Sequence, residues 1–304
     1  MVAVGGDSGT GKVTLCKGLR EIFGDERCVE VRLDGYLGLN RVQRHAVGFT
    51  ALDPRAHNFA QMEEDLWHLA HGRAIEKPMY DHRRGAVDRY ETIEPREIIL
   101  VQGLFPLYTW ALRSLFDVSV WLEPDAGLKR DWTIYRDTTE RGYYEEQVRA
   151  EIERRRPDYE KYIAPQAHYA DVRACFTPGG VTFYKSARLA PLNWSEIATK
   201  YTRMRELENN GGPFPRTILE VDSAIDEISA RFLEDAIWKR IGTRYATVHP
   251  ERLGVYLDEH GQNSSPLLAV TQLFVALRIC LVADQLQSAL VNVTRETMDG
   301  PATS

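Results

Sequence analysis

The chain is short of nearly everything that would mark an extracellular, membrane-spanning or nucleic-acid-binding protein. It has four cysteines in 304 residues. Cys16, Cys28, Cys175 and Cys280 show neither metal-ligand spacing nor a paired framework, so they read as free thiols of a reducing, cytoplasmic setting. Positive charge is not in surplus. The 38 Lys and Arg against 44 Asp and Glu leave a formal net charge of −6, which argues against nucleic acid as a partner. Met1 runs at once into VAVGG, too short and too uncharged for an export signal. The most apolar stretch, PLLAVTQLFVALRICLVADQL (266–286), is interrupted by Gln272, Arg278 and Asp284, so a buried amphipathic helix is expected there and no membrane span. Internal repeats and low-complexity tracts are lacking too. What is left is a globular composition, 43% hydrophobic and 27% charged.

The apolar runs set out an order of elements. MVAV leads into a glycine-rich turn, after which Leu15, Leu19, Ile22 and Phe23 recur at helical spacing. CVEVRL (28–33), EIILVQGL (97–104) and DVSVWLE (117–123) have the continuous apolar character of buried parallel strands, and FAQMEEDLWHLAHG is helical between them. An α/β fold with a mainly parallel sheet flanked by helices is expected. Residues 125–165 turn charge-rich and helical and predict a lid. TPGG (177–180) predicts a linker, dividing a core (1–180) from a C-terminal extension packed on it (181–304). In that extension TFYKSARLAPL is open to a strand assignment. SARFLEDAIWKRIG predicts a helix with Phe232, Leu233, Ala236 and Ile237 on one face, NNGGPFP (209–215) a turn, and TRETMDGPATS a frayed end.

The segment GGDSGTGKVT (5–14) carries the chemistry. Between a strand and a helix, Gly6, Asp7, Ser8, Gly9, Thr10, Gly11, Lys12 and Val13 follow G-x-x-x-x-G-K-[ST] in all but the last place, and Thr14 comes next in the expected nucleotide site. The glycines permit a tight turn whose backbone N–H groups face phosphate oxygens at a helix N-terminus, and Lys12 adds a mobile point charge. Val13 stands where the pattern asks for a hydroxyl that serves magnesium. Thr14 has one, but a residue further round a helix turns by about 100°. Phosphate binding is therefore expected to survive better than metal binding.

At the end of the second strand RLDGYLGLNR (32–41) places Asp34 on the edge where open α/β sheets bind ligands. TALDPRAHNF (50–59), KPMYDHRRG (77–85), IILVQGLFP (98–106), RDTTERG (136–142), RRRPDYEKYIAPQ (154–166) and YADV (169–172) follow in order. This ordered set resembles the phosphoribulokinase family, within the wider phosphoribulokinase and uridine kinase group of P-loop kinases. The likeness resumes in ERLGVYLDE and SSPLLAVTQLFVALRI near the C-terminus. The resemblance implies a kinase that uses ATP and Mg2+ to convert ribulose 5-phosphate to ribulose 1,5-bisphosphate, the Calvin-cycle step. Asp34 matches the general base and Arg41 an arginine that holds the sugar phosphate. Tyr80 and His82 match the loop lining the sugar pocket, and Arg136 and Arg141 match lid arginines that approach the transferring phosphate. It also implies a homo-oligomer, with the dimer favoured.

Departures from the family pattern fall on functional places. Gln102 replaces a glutamate that serves the magnesium, so its place in the metal site is degenerate. Leu37 and Phe105 stand where histidines are usual, and Thr133 where lysine is. Thr10 and Arg32 occupy the places of the two redox-sensitive cysteines of the plant type, so that switch is absent. Two alternatives stay open: a catalytically impaired nucleotide- or sugar-phosphate-binding homologue, and a kinase for a nucleoside or another pentose phosphate.

Overall fold

A computed structural model describes residues 1–81, 83–186, 188–189, 198–207, 215–245, 253–258 and 261–298. One eight-stranded sheet runs through them, in the order β2-β5-β1-β6-β7-β8-β10-β9. The strands β1 (Val2–Gly5), β2 (Cys28–Arg32), β5 (Ile98–Gly103), β6 (Val118–Pro124) and β7 (Val172–Thr177) are parallel. β1 lies between β5 and β6, with Val2 opposite Leu100 on one side and Val118 on the other. Alternate residues feed two cores. Val2, Val4, Leu100, Val118, Val120 and Leu122 pack with α1 (Lys12–Phe23) and α8 (Pro266–Met298). Ala3, Ile99, Val101 and Trp121 pack on the opposite face with α3 (Phe59–Ala70) and α4 (Trp110–Ser114). Burial on both faces is why β1, β5 and β6 are mostly apolar.

The expected linker at 177–180 is instead a tight turn. Thr177 pairs with Gly180, and β8 (Gly180–Lys185) returns antiparallel to β7. β10 (Arg216–Asp222) and β9 (Thr202–Leu207) then extend the same sheet. The stretch KPMYDH, matched to a pocket-lining loop, runs along a hairpin of β3 (Ile75–Asp81) and β4 (Ala86–Ile93). A further hairpin, β11 (Val255–Asp258) with β12 (Gly261–Ser264), precedes α8.

The short α2 (Arg41–Ala46) follows β2, and the lid consists of α5 (Ala126–Thr139) and α6 (Glu145–Asp158). α6 passes over Pro157 into a π turn, Tyr159–Ile163, because a proline lacks the N–H that would continue the α ladder. In α7 (Glu227–Tyr245) the buried stripe is Ala230, Leu233, Ile237 and Ile241. Phe232, expected to share it, is 53% exposed, since it sits one residue and about 100° round from Leu233. The helix of 266–298 has 24 residues apolar enough to cross a membrane by length and composition, but 67% of the 18-residue window that passes this test is buried inside the protein. Helix also continues to Met298, through part of the segment expected to fray. The expected turn at 209–215 falls, but for Pro215, outside the described residues.

Candidate active site

β1 delivers the chain to the C-terminal edge of the sheet, and α1 starts at Lys12. The turn between them needs left-handed backbone at Gly9 (φ 78°) and Gly11 (φ 87°). At Gly9 the need is double, because a Cβ there would lie 2.2 Å from Thr133 Oγ1 on the lid. Lys12 curls over the loop, its Nζ donating to the carbonyls of Gly6 (3.0 Å) and Asp7 (2.6 Å). Burial pulls this ammonium down to about 8, against the opposing pull of Asp34 and Asp7.

Asp34 lies in the 3-10 turn Leu33–Tyr36 that ends β2. Its neighbour Gly35 has no room for a side chain, as a Cβ would sit 1.7 Å from the Pro78 carbonyl oxygen. The β3 backbone thus passes directly beside the turn. Tyr36 fixes the far side by donating to Asp65 at 2.9 Å.

The lid helix α5 is fastened to the phosphate loop at three successive turns. Lys129 Nζ pairs with Asp7 Oδ2 at 3.0 Å, Thr133 Oγ1 reaches the Ser8 carbonyl at 3.5 Å, and Arg136 Nη2 donates to Ser8 Oγ at 3.0 Å. Asp137 Oδ1 takes both expected lid arginines, Arg136 at 2.7 Å and Arg141 at 3.1 Å. Burial, with Arg136 beside it, holds Arg141 below the usual guanidinium range while Asp137 and Asp34 oppose the shift.

On the other flank Arg41 opens α2 and its backbone N–H donates to Gly85 at 2.7 Å. One turn on, Arg44 donates to Leu39 O at 2.6 Å and to the Tyr80 hydroxyl at 3.0 Å. Lys12, Asp34, Arg41, Tyr80, Arg136 and Arg141 all line one cleft of about 2440 Å³, together with the loop residues Ser8 to Thr14. Gly6 and Asp7 support the loop from behind through the Lys12 and Lys129 contacts already described. His82 lies outside the described residues.

Four participants were not singled out from the sequence. Arg44 follows Arg41, and Lys129 precedes Arg136, at spacings that put each pair on one helix face. His57, within the TALDPRAHNF segment, bridges Leu37 through the backbone and sets its ring on Phe105, 4.6 Å between centroids. An imidazole therefore does stand at this wall, between the two positions where one was missed. Its Nε2 lies 2.9 Å from the Ala51 carbonyl and so carries the proton, while Nδ1 is buried with no hydrogen-bond partner among the described residues. Burial pushes this imidazole down to about 4. The fourth is Glu30, which receives the amide of Gln102.

The family model of the phosphoribulokinase / uridine kinase family matches residues 1–178, more than half of the chain. The chain belongs to this family. It is thus similar throughout to the phosphoribulokinase of Synechocystis sp., 33% identical over 94% of each chain. The chloroplastic phosphoribulokinase of Triticum aestivum is 28% identical over 97% of this chain and 84% of that one. The solved structure of a phosphoribulokinase from Rhodobacter spheroides has a TM-score of 0.56 at 17% identity, covering 82% of this chain and 98% of that one, which shows the shared P-loop kinase fold. As a member of the family the protein is a kinase, and the cleft under its lid is the candidate reaction centre.

The family pattern implies a divalent cation beside the phosphates, and the donor set does not fit one held by the protein. Val13, 49% exposed on the first turn of α1, offers no oxygen. Gln102 offers at most a neutral carbonyl, where hard divalent cations prefer carboxylate oxygen. No group of three or more His, Cys, Asp or Glu is gathered for a metal among the described residues.

Proposed function

We propose that the protein transfers the γ-phosphoryl group of ATP to the 1-hydroxyl of ribulose 5-phosphate, giving ribulose 1,5-bisphosphate and ADP by direct in-line displacement. The observation that carries the proposal is the convergence of Lys12, Asp34 and Arg141 on one cleft, above a phosphate loop, with Lys12 and Arg141 both within reach of the charge of Asp34. Loop N–H groups and Lys12 hold the β- and γ-phosphates. Asp34 accepts the proton of the attacking hydroxyl, a role worth about 10²–10⁴-fold. Arg136 and Arg141, locked together by Asp137, face the charge that spreads over the equatorial oxygens in the transition state.

Arg41 and Arg44 hold the sugar's own phosphate, with Tyr80 beside Arg44. The arm of the cleft toward Trp132 and Phe176, whose rings stand edge to face at 6.1 Å, receives the adenine base. With no protein ligands suited to it among the described residues, any magnesium would come with ATP as its counter-ion. Four free cysteines suit a cytoplasmic enzyme.

A second function, nucleotide binding with impaired turnover, is favoured by one observation: Gln102 is committed to Glu30 and carries no charge. ADP release with ATP, magnesium and ribulose 5-phosphate, run beside uridine and other pentose phosphates, separates these. Turnover with ribulose 5-phosphate alone is expected. Turnover only with another acceptor overturns the substrate, and ATP binding with no turnover on any acceptor favours the second function.

A further inference from the structure

Glu30 is an acid inside the sheet. Its side chain is 7% exposed, and a buried carboxylate needs partners. It has three. Arg32 Nε donates at 2.9 Å, Gln102 Nε2 donates at 3.1 Å, and Arg20 lies at 3.8 Å from its other oxygen. The register explains the meeting. β2 and β5 set Glu30 opposite Leu100 and Arg32 opposite Gln102, so Glu30 and Gln102 are diagonal neighbours on one face, the face under α1. Cys16 on that helix senses the carboxylate too, its thiol pushed up first by burial and then by Glu30.

A glutamine amide has a donor end and an acceptor end. Because the NH2 of Gln102 faces a carboxylate, its carbonyl oxygen is turned away from Glu30, on a residue that lines the cleft. A glutamate at position 102 would have no proton to give Glu30. Two carboxylates at that distance cannot both stay ionised, and one would hold a proton above the ordinary range. The charge missing at 102 has a counterpart one strand away, where it is paired with arginine.

We propose that Glu30 is a positioning residue that fixes the amide of Gln102 as a neutral acceptor at the cleft, and that this pair frees nucleotide binding at this centre from a protein-held divalent cation. The proposal rests on the phosphate loop being a nucleotide site, and its test does not use turnover.

ADP binding by calorimetry, in excess magnesium and in EDTA, would be compared for the unmodified full chain, Gln102→Glu, Glu30→Gln and the double variant. The unmodified protein should bind ADP with affinities within about threefold in the two conditions. Gln102→Glu alone should melt lower and gain no preference for magnesium. The double variant should regain melting temperature and bind ADP about tenfold or more tightly with magnesium, as a carboxylate becomes available to the ion. Full magnesium preference in Gln102→Glu alone, with unchanged melting, would overturn the proposal, as would an unmodified protein that binds ADP only with magnesium.

Should the double variant not fold, the pH profile of Gln102→Glu decides. A carboxyl titrating above its ordinary range supports the pair, and a flat profile refutes it. ADP binding by none of the proteins would strike the nucleotide site instead. Melting of the four ligand-free proteins would then still test the pair, since non-additive changes are expected only if the two side chains interact.

Discussion

Lys129 Nζ lies 3.0 Å from Asp7 Oδ2, joining the first lid helix to the phosphate loop by an ion pair whose two side chains are 21% and 14% exposed. The same ammonium stands 3.9 Å from the centre of the Tyr159 ring, so its removal loosens lid and loop together. Lys129→Met should weaken ATP binding roughly three- to tenfold, in line with about 1 kcal/mol for a partly exposed pair. Titration with ATP checks this, and kcat at saturating ATP should stay within a few-fold of the unmodified value.

Lys12 should make nucleotide affinity depend on pH. With the ammonium held at about 8 in the ligand-free protein, and bound phosphates raising it, binding above pH 8 must take up a proton. Affinity for ATP should fall by up to about tenfold per pH unit beyond that point. Calorimetry in two buffers of different ionisation enthalpy would count the proton. Stability runs the opposite way. Between about 8 and the ordinary 10.5 the unfolded chain holds a proton that the folded one has released, so this lysine's contribution improves as pH rises. Lys12→Met should lose ATP affinity and its pH dependence, yet melt no lower than the parent.

Asp34 and Arg141 should part binding from chemistry. Asp34→Asn is expected to lower kcat by about 10²–10⁴ while leaving ADP affinity within about threefold. Arg141→Ala should likewise act on kcat, by roughly 10²–10³, because its partner Asp137 keeps Arg136 in place. Steady-state rates together with ADP titrations distinguish the effects. Equal losses in affinity and kcat would place either residue in ground-state binding instead.

His57 predicts a loss of stability on the acid side. Its imidazole is held at about 4 against an ordinary 6.5, so between those values the unfolded chain binds a proton that the folded one refuses. Stability should therefore fall as pH drops through that window, by at most about 1.4 kcal/mol per unit from this group. Melting temperatures from pH 7 to pH 4 should show a shallower decline in His57→Asn.

The strands flanking the phosphate loop could be read from the sequence because they are buried on both faces and mostly apolar. The β3–β4 hairpin could not. Pro78 and the largely polar, exposed face of β4 give it no alternation strong enough to separate it from a loop. β9 was hidden for the same reason, its residues being mostly exposed at the sheet edge. Of the residues lining the cleft, Lys12 and Asp34 stood out in the sequence through their places beside strand ends. Glu30 could not, since one acid in CVEVR reads as the wet side of a strand until the β2–β5 register brings it to Gln102. His57 depended equally on a long-range pairing, that of Leu37 with the chain near residue 57.

Gln272 of α8 reaches back to the start of the chain, its Nε2 donating to the Thr14 carbonyl at 3.0 Å and its Oε1 accepting from the Gly254 N–H at 2.8 Å. Those contacts bridge 258 residues between Thr14 and Gln272. At about 5–20 residues per second of synthesis, roughly 13–50 s separate the emergence of the phosphate-loop helix from that of the side chain that braces it. During that interval the apolar back of α1 has no α8 to cover it. On the ribosome, a phosphate loop already made is carried by a helix whose apolar face stays open to water until that later segment arrives.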